Sequence, residues 1–201
     1  LVFRPIEGGC PWAWAKKCEW NAYEFQSIKI FDVPDIVEIL MNNERSVIVN
    51  VEKRGAIAKD QLQVCVPPLH WYHDWARLIL FFELWRKHEA TFIIYANSMS
   101  ENTAKVLKFY AKQGMVQVVN WPLLPLSKDG EDPNSGIYRL SHSLAHNDCV
   151  LRMNAEYGVL LDVDEYIHLS HNRSLLEFVE QRFEKEKDLG SLLFHHYGLK
   201  V

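Results

Sequence analysis

From residue 61 onward, apolar and polar positions fall into alternating short runs and helical periods. Gln61-Leu-Gln-Val-Cys-Val66 predicts a strand stopped by Pro67-Pro68. A helix is predicted over 71–88, with Trp71, Trp75, Leu78, Ile79, Phe82 and Trp85 on one face as core residues. Thr91–Ala96 predicts a second strand, and Ser100 caps a helix that Gly114 ends. Residues 115–119 predict a third strand, 121–136 a long Pro- and Gly-containing loop, and 138–153 a further helix. Val159–Leu161 predicts a fourth strand, 174–187 an amphipathic helix and 191–194 a last strand. Alternating strands and helices predict an α/β domain whose mixed, mostly parallel sheet is flanked by helices. Before residue 61 the pattern is weaker. Residues 1–45 are Trp-rich and irregular, with a short helix predicted over 34–41, and 45–53 alternates as a strand. The predicted division is an N-terminal segment, 1–60, and a main domain, 61–201.

The fourth strand runs into Asp162-Val163-Asp164-Glu165, three carboxylates within four positions. In an open α/β sheet the ligand crevice lies beyond the carboxyl ends of the strands. On an extended segment, residues two apart point the same way, so Asp162 and Asp164 are expected to converge. Grouped carboxylates repel unless a cation lies between them, and a hard divalent ion carrying a phosphate meets that need. The chain has neither a Gly-x-Gly-x-x-Gly nor a Walker A loop, so any nucleotide must be held by metal and side chains. Asp-x-Asp by itself is a common tripeptide pattern, and surface acidity explains many occurrences of it.

Composition narrows the classes. With 201 residues, 48% of them apolar, the chain is long enough for a sizeable core. It carries 22 Lys and Arg against 26 Asp and Glu, with no basic run, which argues against a nucleic-acid partner. No apolar stretch approaches the length of a membrane span. Cys10, Cys18, Cys65 and Cys149 fit no zinc spacing; Cys10 and Cys18 would close a small disulfide loop in an oxidising compartment, or stay free. Asn172-Arg173-Ser174 fits a glycosylation acceptor, yet Asn172 or Ser174 equally suits the N-cap of the next helix, the preferred reading.

Several stretches, in order, resemble one family. Cys65-Val-Pro-Pro-Leu69, then Asp74-Trp75 leading into Leu80–Trp85, is similar to the opening of glycosyltransferase family 92. Tyr95–Ser98, Tyr138-Arg139, Ala145–Cys149 and Asp162–Glu165 continue the likeness over residues 61–194. The resemblance implies a GT-A-like fold and a Golgi type II membrane protein. It also implies manganese-dependent transfer of galactose from UDP-galactose to a glycan on a glycoprotein or glycolipid. Anchor and stem have no counterpart here, so membrane attachment would come only from outside this chain. Such domains run past the position of Val201, and the acceptor side is expected to be incomplete.

Roles follow residue by residue. Asp164 is the expected ligand of manganese or magnesium, with Asp162 on the metal or on the donor ribose, and Glu165 behind them. Pro67, Leu69 and Tyr72 lie where uridine is expected, and Asn97 follows the neighbouring strand. His146, Asn147 and Asp148 are candidates for phosphate or sugar, against helix packing or ordinary surface polarity. His195-His196 offers imidazole to manganese, although such pairs are more often surface or core features. No residue identifies itself as the base that would deprotonate the acceptor. Two other classes stay open. A haloacid-dehalogenase-like phosphatase also puts Asp-x-Asp at a strand end, but Tyr166 departs from its pattern. A non-catalytic sugar-nucleotide- or glycan-binding relative would keep the fold without turnover.

Overall fold

The computed structural model describes residues 2–6, 21–27, 32–41, 45–126, 128–137, 141–170 and 173–198. It contains two compact units, one of Leu1–Ile57 with Leu123–Asn154, the other of Ala58–Pro122 with Ala155–Val201. In the second unit the strands β5 (Ala58–Leu69), β6 (Thr91–Ala96), β7 (Val116–Asn120) and β8 (Ala155–Leu160) form a sheet ordered β7-β6-β5-β8. Every pairing in it is parallel. Numbered within the sheet, the order is three-two-one-four. The topological switch therefore falls between β5 and β8, the place where open α/β sheets bind ligands.

Parallel strands buried on both faces need near-continuous apolar sequence. β5 and β6 have it: Val64, Cys65, Val66, Phe92, Ile93, Ile94 and Tyr95 are all fully or almost fully buried. Leu62, Val64, Val66, Phe92 and Ile94 share one cluster with helix α1 (Trp75–Arg86) and with helices α2 (Glu101–Lys112) and α4 (Leu175–Lys185). Phe81, Phe82 and Trp85 of α1 pack against Phe92 at ring separations of 5.3, 5.0 and 6.5 Å. Ser100 caps α2, as its position predicts, and Ser174 with Glu177 forms a reciprocal capping box on α4. Asn172 lies outside the described residues, as do Cys10 and Cys18. No helix among the described residues is long and apolar enough to cross a membrane.

Several elements differ from the pattern-based prediction. Pro67-Pro68 does not end β5, which continues to Leu69 through a register shift between Val66 and Leu69. Proline removes ladder donors, and the irregularity absorbs the loss. Helix α1 starts at Trp75 rather than 71, because Asp74 is its N-cap, accepting from the Arg77 N–H at 3.1 Å. Residues 191–194 form no strand. An apolar run needs a neighbouring ladder, and here Leu192 and Phe194 pack partly on the core while Leu193 is fully exposed.

The first unit holds the antiparallel pairs β1 (Val2–Pro5) with β2 (Tyr23–Gln26) and β3 (Ile36–Met41) with β4 (Arg45–Asn50), and helix α3 (His142–Arg152). The helix predicted over 34–41 is thus a strand. Its β-branched Ile36, Val37 and Ile39 favour extended backbone, and Val37 and Ile39 face Val49 and Val47 across the hairpin.

Candidate functional site

At the switch point the main chain of β5 does not stop at its last ladder residue. The Ser98 N–H donates to the Leu69 carbonyl (3.0 Å), Tyr72 N–H to the Ser98 carbonyl (3.0 Å), and Ser100 N–H to the Tyr72 carbonyl (2.9 Å). The Thr103 hydroxyl adds a bond to the same Tyr72 carbonyl at 3.3 Å. Trp71 adopts φ 48° to let this happen, and its N–H donates to Ser98 Oγ at 2.8 Å. A bulky residue at positive φ is strained, and the surrounding bonds hold it there. The loop from β5 therefore reaches α1 on a fixed path, with Tyr72 and Asp74 at the carboxyl edge.

The acids arrive from β8. Leu161 N–H still bonds to β5 at the Cys65 carbonyl (3.2 Å). The chain then turns: Glu165 N–H donates to the Asp162 carbonyl (3.1 Å), and the Asp162 N–H donates to Glu165 Oε2 (2.9 Å). Asp162–Glu165 is thus a closed turn and not an extended segment, so strand periodicity does not set how its carboxylates point. Glu165 acts as the turn's own clasp, and the Trp85 indole N–H donates to its carbonyl at 3.3 Å. His196 Nε2 lies 3.7 Å from the free side of the same carboxylate. His195 instead lines an apolar groove of about 300 Å³ with Phe178, Leu189 and Phe194.

Across from the acids, Arg77 projects from the first turn of α1. Its Nε is 3.1 Å from Asp74 Oδ2 and its Nη1 4.0 Å from Asp164 Oδ2. Burial pushes the Tyr72 phenol up to about 12, helped by Asp74 and Asp164 and opposed by Arg77. Tyr166 is raised for the same leading reason, again with Arg77 opposing and Asp164 assisting. The Tyr72 hydroxyl is buried without a hydrogen-bond partner among the described residues. Asp74, Arg77 and Trp85 escape sequence reading, because a charge in a first helical turn and a Trp on an apolar face look like ordinary capping and core.

The residues expected at the site are distributed over both units. Pro67, Leu69, Tyr72, Asn97, Asp162 and Asp164 belong to the second, where the Asn97 side-chain amide donates to the Trp121 carbonyl at 2.9 Å. His146, Asn147 and Asp148 lie on α3 in the first. There the rings of His142 and His146 meet edge to face at 4.6 Å. Asp148 takes a forked pair from Arg152, with Nε to Oδ2 at 2.9 Å and Nη2 to Oδ1 at 3.0 Å. Arg152 also reaches Glu52, and the paired carboxylates drive its pKa upward. Asp148 thus has a structural partner already.

Among the described residues no group of three or more His, Cys, Asp or Glu side chains is arranged to hold a metal ion. The donor chemistry nonetheless fits a hard cation. Magnesium or manganese on a diphosphate uses one or two carboxylates and takes its other oxygens from phosphate and water. Asp162 and Asp164 offer those carboxylates, and the Arg77 guanidinium already stands as a positive charge beside Asp164.

Fold and edge together give a Rossmann-like α/β domain, consistent with the GT-A type and acidic where such sheets meet their ligands. The model of glycosyltransferase family 92 matches residues 60–201, and the chain belongs to that family. Two family 92 proteins of Caenorhabditis elegans are similar to it. One is 24% identical over 150 residues (72% of this chain, 29% of the relative), the other 25% over 146 residues (70% and 29%). The chain thus spans less than a third of the length of these curated relatives. No solved structure matches it significantly.

Proposed function

We propose that the chain carries the donor site of a metal-dependent glycosyltransferase that moves a hexose, galactose from UDP-galactose, to a glycan acceptor. The observation carrying this reading is the placement of Asp162 and Asp164 at the carboxyl edge of β8, beside the switch point, in a family 92 chain. In this reading Asp164 and Asp162 hold manganese or magnesium, and the turn clasped by Glu165 fixes the backbone they project from. The bound cation would neutralise charge on the departing diphosphate. The rest falls to the protein. The Tyr72 hydroxyl, buried and unpaired, donates to the donor, and the Leu69–Tyr72 path lines the nucleoside end. An inverting transfer also needs a carboxylate to take the acceptor's proton; none of the residues named here is assigned that role.

The setting proposed is the Golgi lumen, the whole protein being anchored by a segment outside this chain. The disulfide-bonded state of Cys65 and Cys149 supports an oxidising compartment.

Calorimetry tests the donor site. UDP should bind in manganese and bind far more weakly in EDTA. Asp164→Asn should abolish the manganese-dependent part, and Asp162→Asn should weaken it by about tenfold, the loss of one charge-assisted contact. Equal UDP binding in EDTA would remove the metal from the reading. Donor binding without galactose transfer to any glycan, measured on the whole protein, would make it a non-catalytic nucleotide-sugar-binding relative.

A further inference from the structure

We propose that Arg77 is a positioning residue with two partners in sequence: it neutralises Asp164 while the donor is absent and turns to the diphosphate when the donor binds. This inference rests on the metal-dependent reading of the site.

The geometry points to it as follows. Arg77 is anchored at one end: Asp74 accepts from its main-chain N–H at 3.1 Å and pairs with its Nε at 3.1 Å. Its other arm is uncommitted, standing 4.0 Å from Asp164 Oδ2, at the outer limit of an ion pair. The side chains of Arg77 and Asp164 are 54% and 58% exposed, so neither is locked by packing. Contrast Arg152, whose two forked bonds to Asp148 are short and whose side chain is 23% exposed. Arg152 is built as a strut, Arg77 as a loosely held counter-charge. A guanidinium presents several N–H donors, and phosphate oxygens match that fork better than one carboxylate oxygen at 4.0 Å does.

Position supports the same assignment. Arg77 lies in the first turn of α1, which follows the β5 loop on the switch-point side. Without it, Asp74 and Asp164 would lose the guanidinium that pairs with both, on an edge that also carries Asp162 and Glu165. A divalent cation would then be drawn to the acids whether or not a donor came with it. With Arg77 present, a cation without a diphosphate must displace the guanidinium from Asp164. A cation arriving with a diphosphate gives Arg77 a better partner. Cation and nucleotide are thereby made to bind together, which is positive coupling between two ligands.

The test is manganese and UDP binding to the full chain, by calorimetry and by the electron paramagnetic resonance signal of free manganese. The proteins compared are the parent, Arg77→Gln, Arg77→Lys and Asp164→Asn. Arg77→Gln should bind manganese alone about threefold to tenfold more tightly, the effect of removing one like charge a few ångströms away near the surface. It should bind UDP in saturating manganese about threefold to tenfold more weakly. Arg77→Lys keeps the charge and should restore the first quantity, and part of the second, since ammonium lacks the fork. A purely structural role through Asp74 would change the melting temperature and leave both affinities alone, and that result would overturn the inference. So would weaker manganese binding in Arg77→Gln, which would make Arg77 a support for Asp164 and not its competitor. The underlying reading fails separately: if Asp164→Asn binds manganese and UDP like the parent, the metal site itself is elsewhere.

Discussion

Two side chains carry costs that the fold alone does not explain. The buried Tyr72 hydroxyl has no partner among the described residues, and an unmade hydrogen bond of that kind costs about 1–3 kcal/mol. Tyr72→Phe should therefore leave urea stability unchanged or raise it by about 1 kcal/mol. The same variant should lower UDP affinity, because in the proposed site the hydroxyl waits for the donor. Lower stability with unchanged UDP affinity would make Tyr72 a core residue and nothing more. His88 is buried among core aromatics, its Nδ1 accepting from the Leu175 N–H at 3.0 Å. Burial lowers its pKa below the ordinary 6.5, outweighing a bond to the Ile167 backbone that acts the other way. The unfolded chain then takes up a proton near pH 6.5 that the folded chain refuses. Stability from neutral His88 is thus complete above that pH and is lost as pH falls below it. Urea unfolding at pH 7.5 and 5.5 should show a larger acid loss for the parent than for His88→Gln, which has nothing to titrate at that position.

One helix governs the element scale. α1 supplies Arg77 at its start, and in its last turn Trp85, whose indole N–H bonds to the Glu165 carbonyl; His88 follows just beyond and meets Leu175. The segment from the acids to α4 is therefore pinned by the C-terminal part of a helix whose N-terminal part faces the acids. Trp85→Phe keeps most of the apolar contact and deletes that N–H, which is worth about 1 kcal/mol. Amide exchange should accelerate at residues 162–167 in this variant and stay slow in β5 and β6. Uniform acceleration through the sheet would mean that the indole serves the core and not the turn. Part of this helix was legible in sequence, since Leu78, Phe82 and Trp85 follow helical spacing and are buried, whereas Trp71 and Trp75, read onto the same core face, are exposed. Its starting point was not, because the bonds from Ser98 and Ser100 that fix the path of Leu69–Tyr72 come from the loop between β6 and α2, remote in sequence. The acids show the same limit. Their station after β8 follows from Val159–Leu161, but the Glu165 clasp that turns them belongs to backbone geometry that strand periodicity does not encode.

At the scale of the molecule, the alternation of strand and helix was enough to give a parallel α/β unit, while the order β7-β6-β5-β8 depends on long-range pairing that no local pattern carries. Residues 123–154, whose first part reads as loop, join the N-terminal strands in the other unit, so chain order and spatial grouping diverge. The cysteines tell a similar story. Spacing draws attention to Cys10 and Cys18, outside the described residues, whereas Cys65 in the centre of β5 and Cys149 on α3 are both buried and disulfide-bonded. Among the described residues no cysteine is free. Strand β5 lies between both neighbours at the switch point, so a covalent tie at Cys65 restrains the element on which the site is built. Alkylation of the protein unfolded without reductant, followed by peptide mass mapping, should find neither Cys65 nor Cys149 modified. Losing a bridge in a domain of this kind costs about 2–5 kcal/mol. At about 2–4 °C per kcal/mol for this chain length, dithiothreitol should lower the melting temperature by roughly 5–20 °C. Protein recovered from the secretory pathway with both thiols free, and melting unchanged by reductant, would remove the physical support for a lumenal setting.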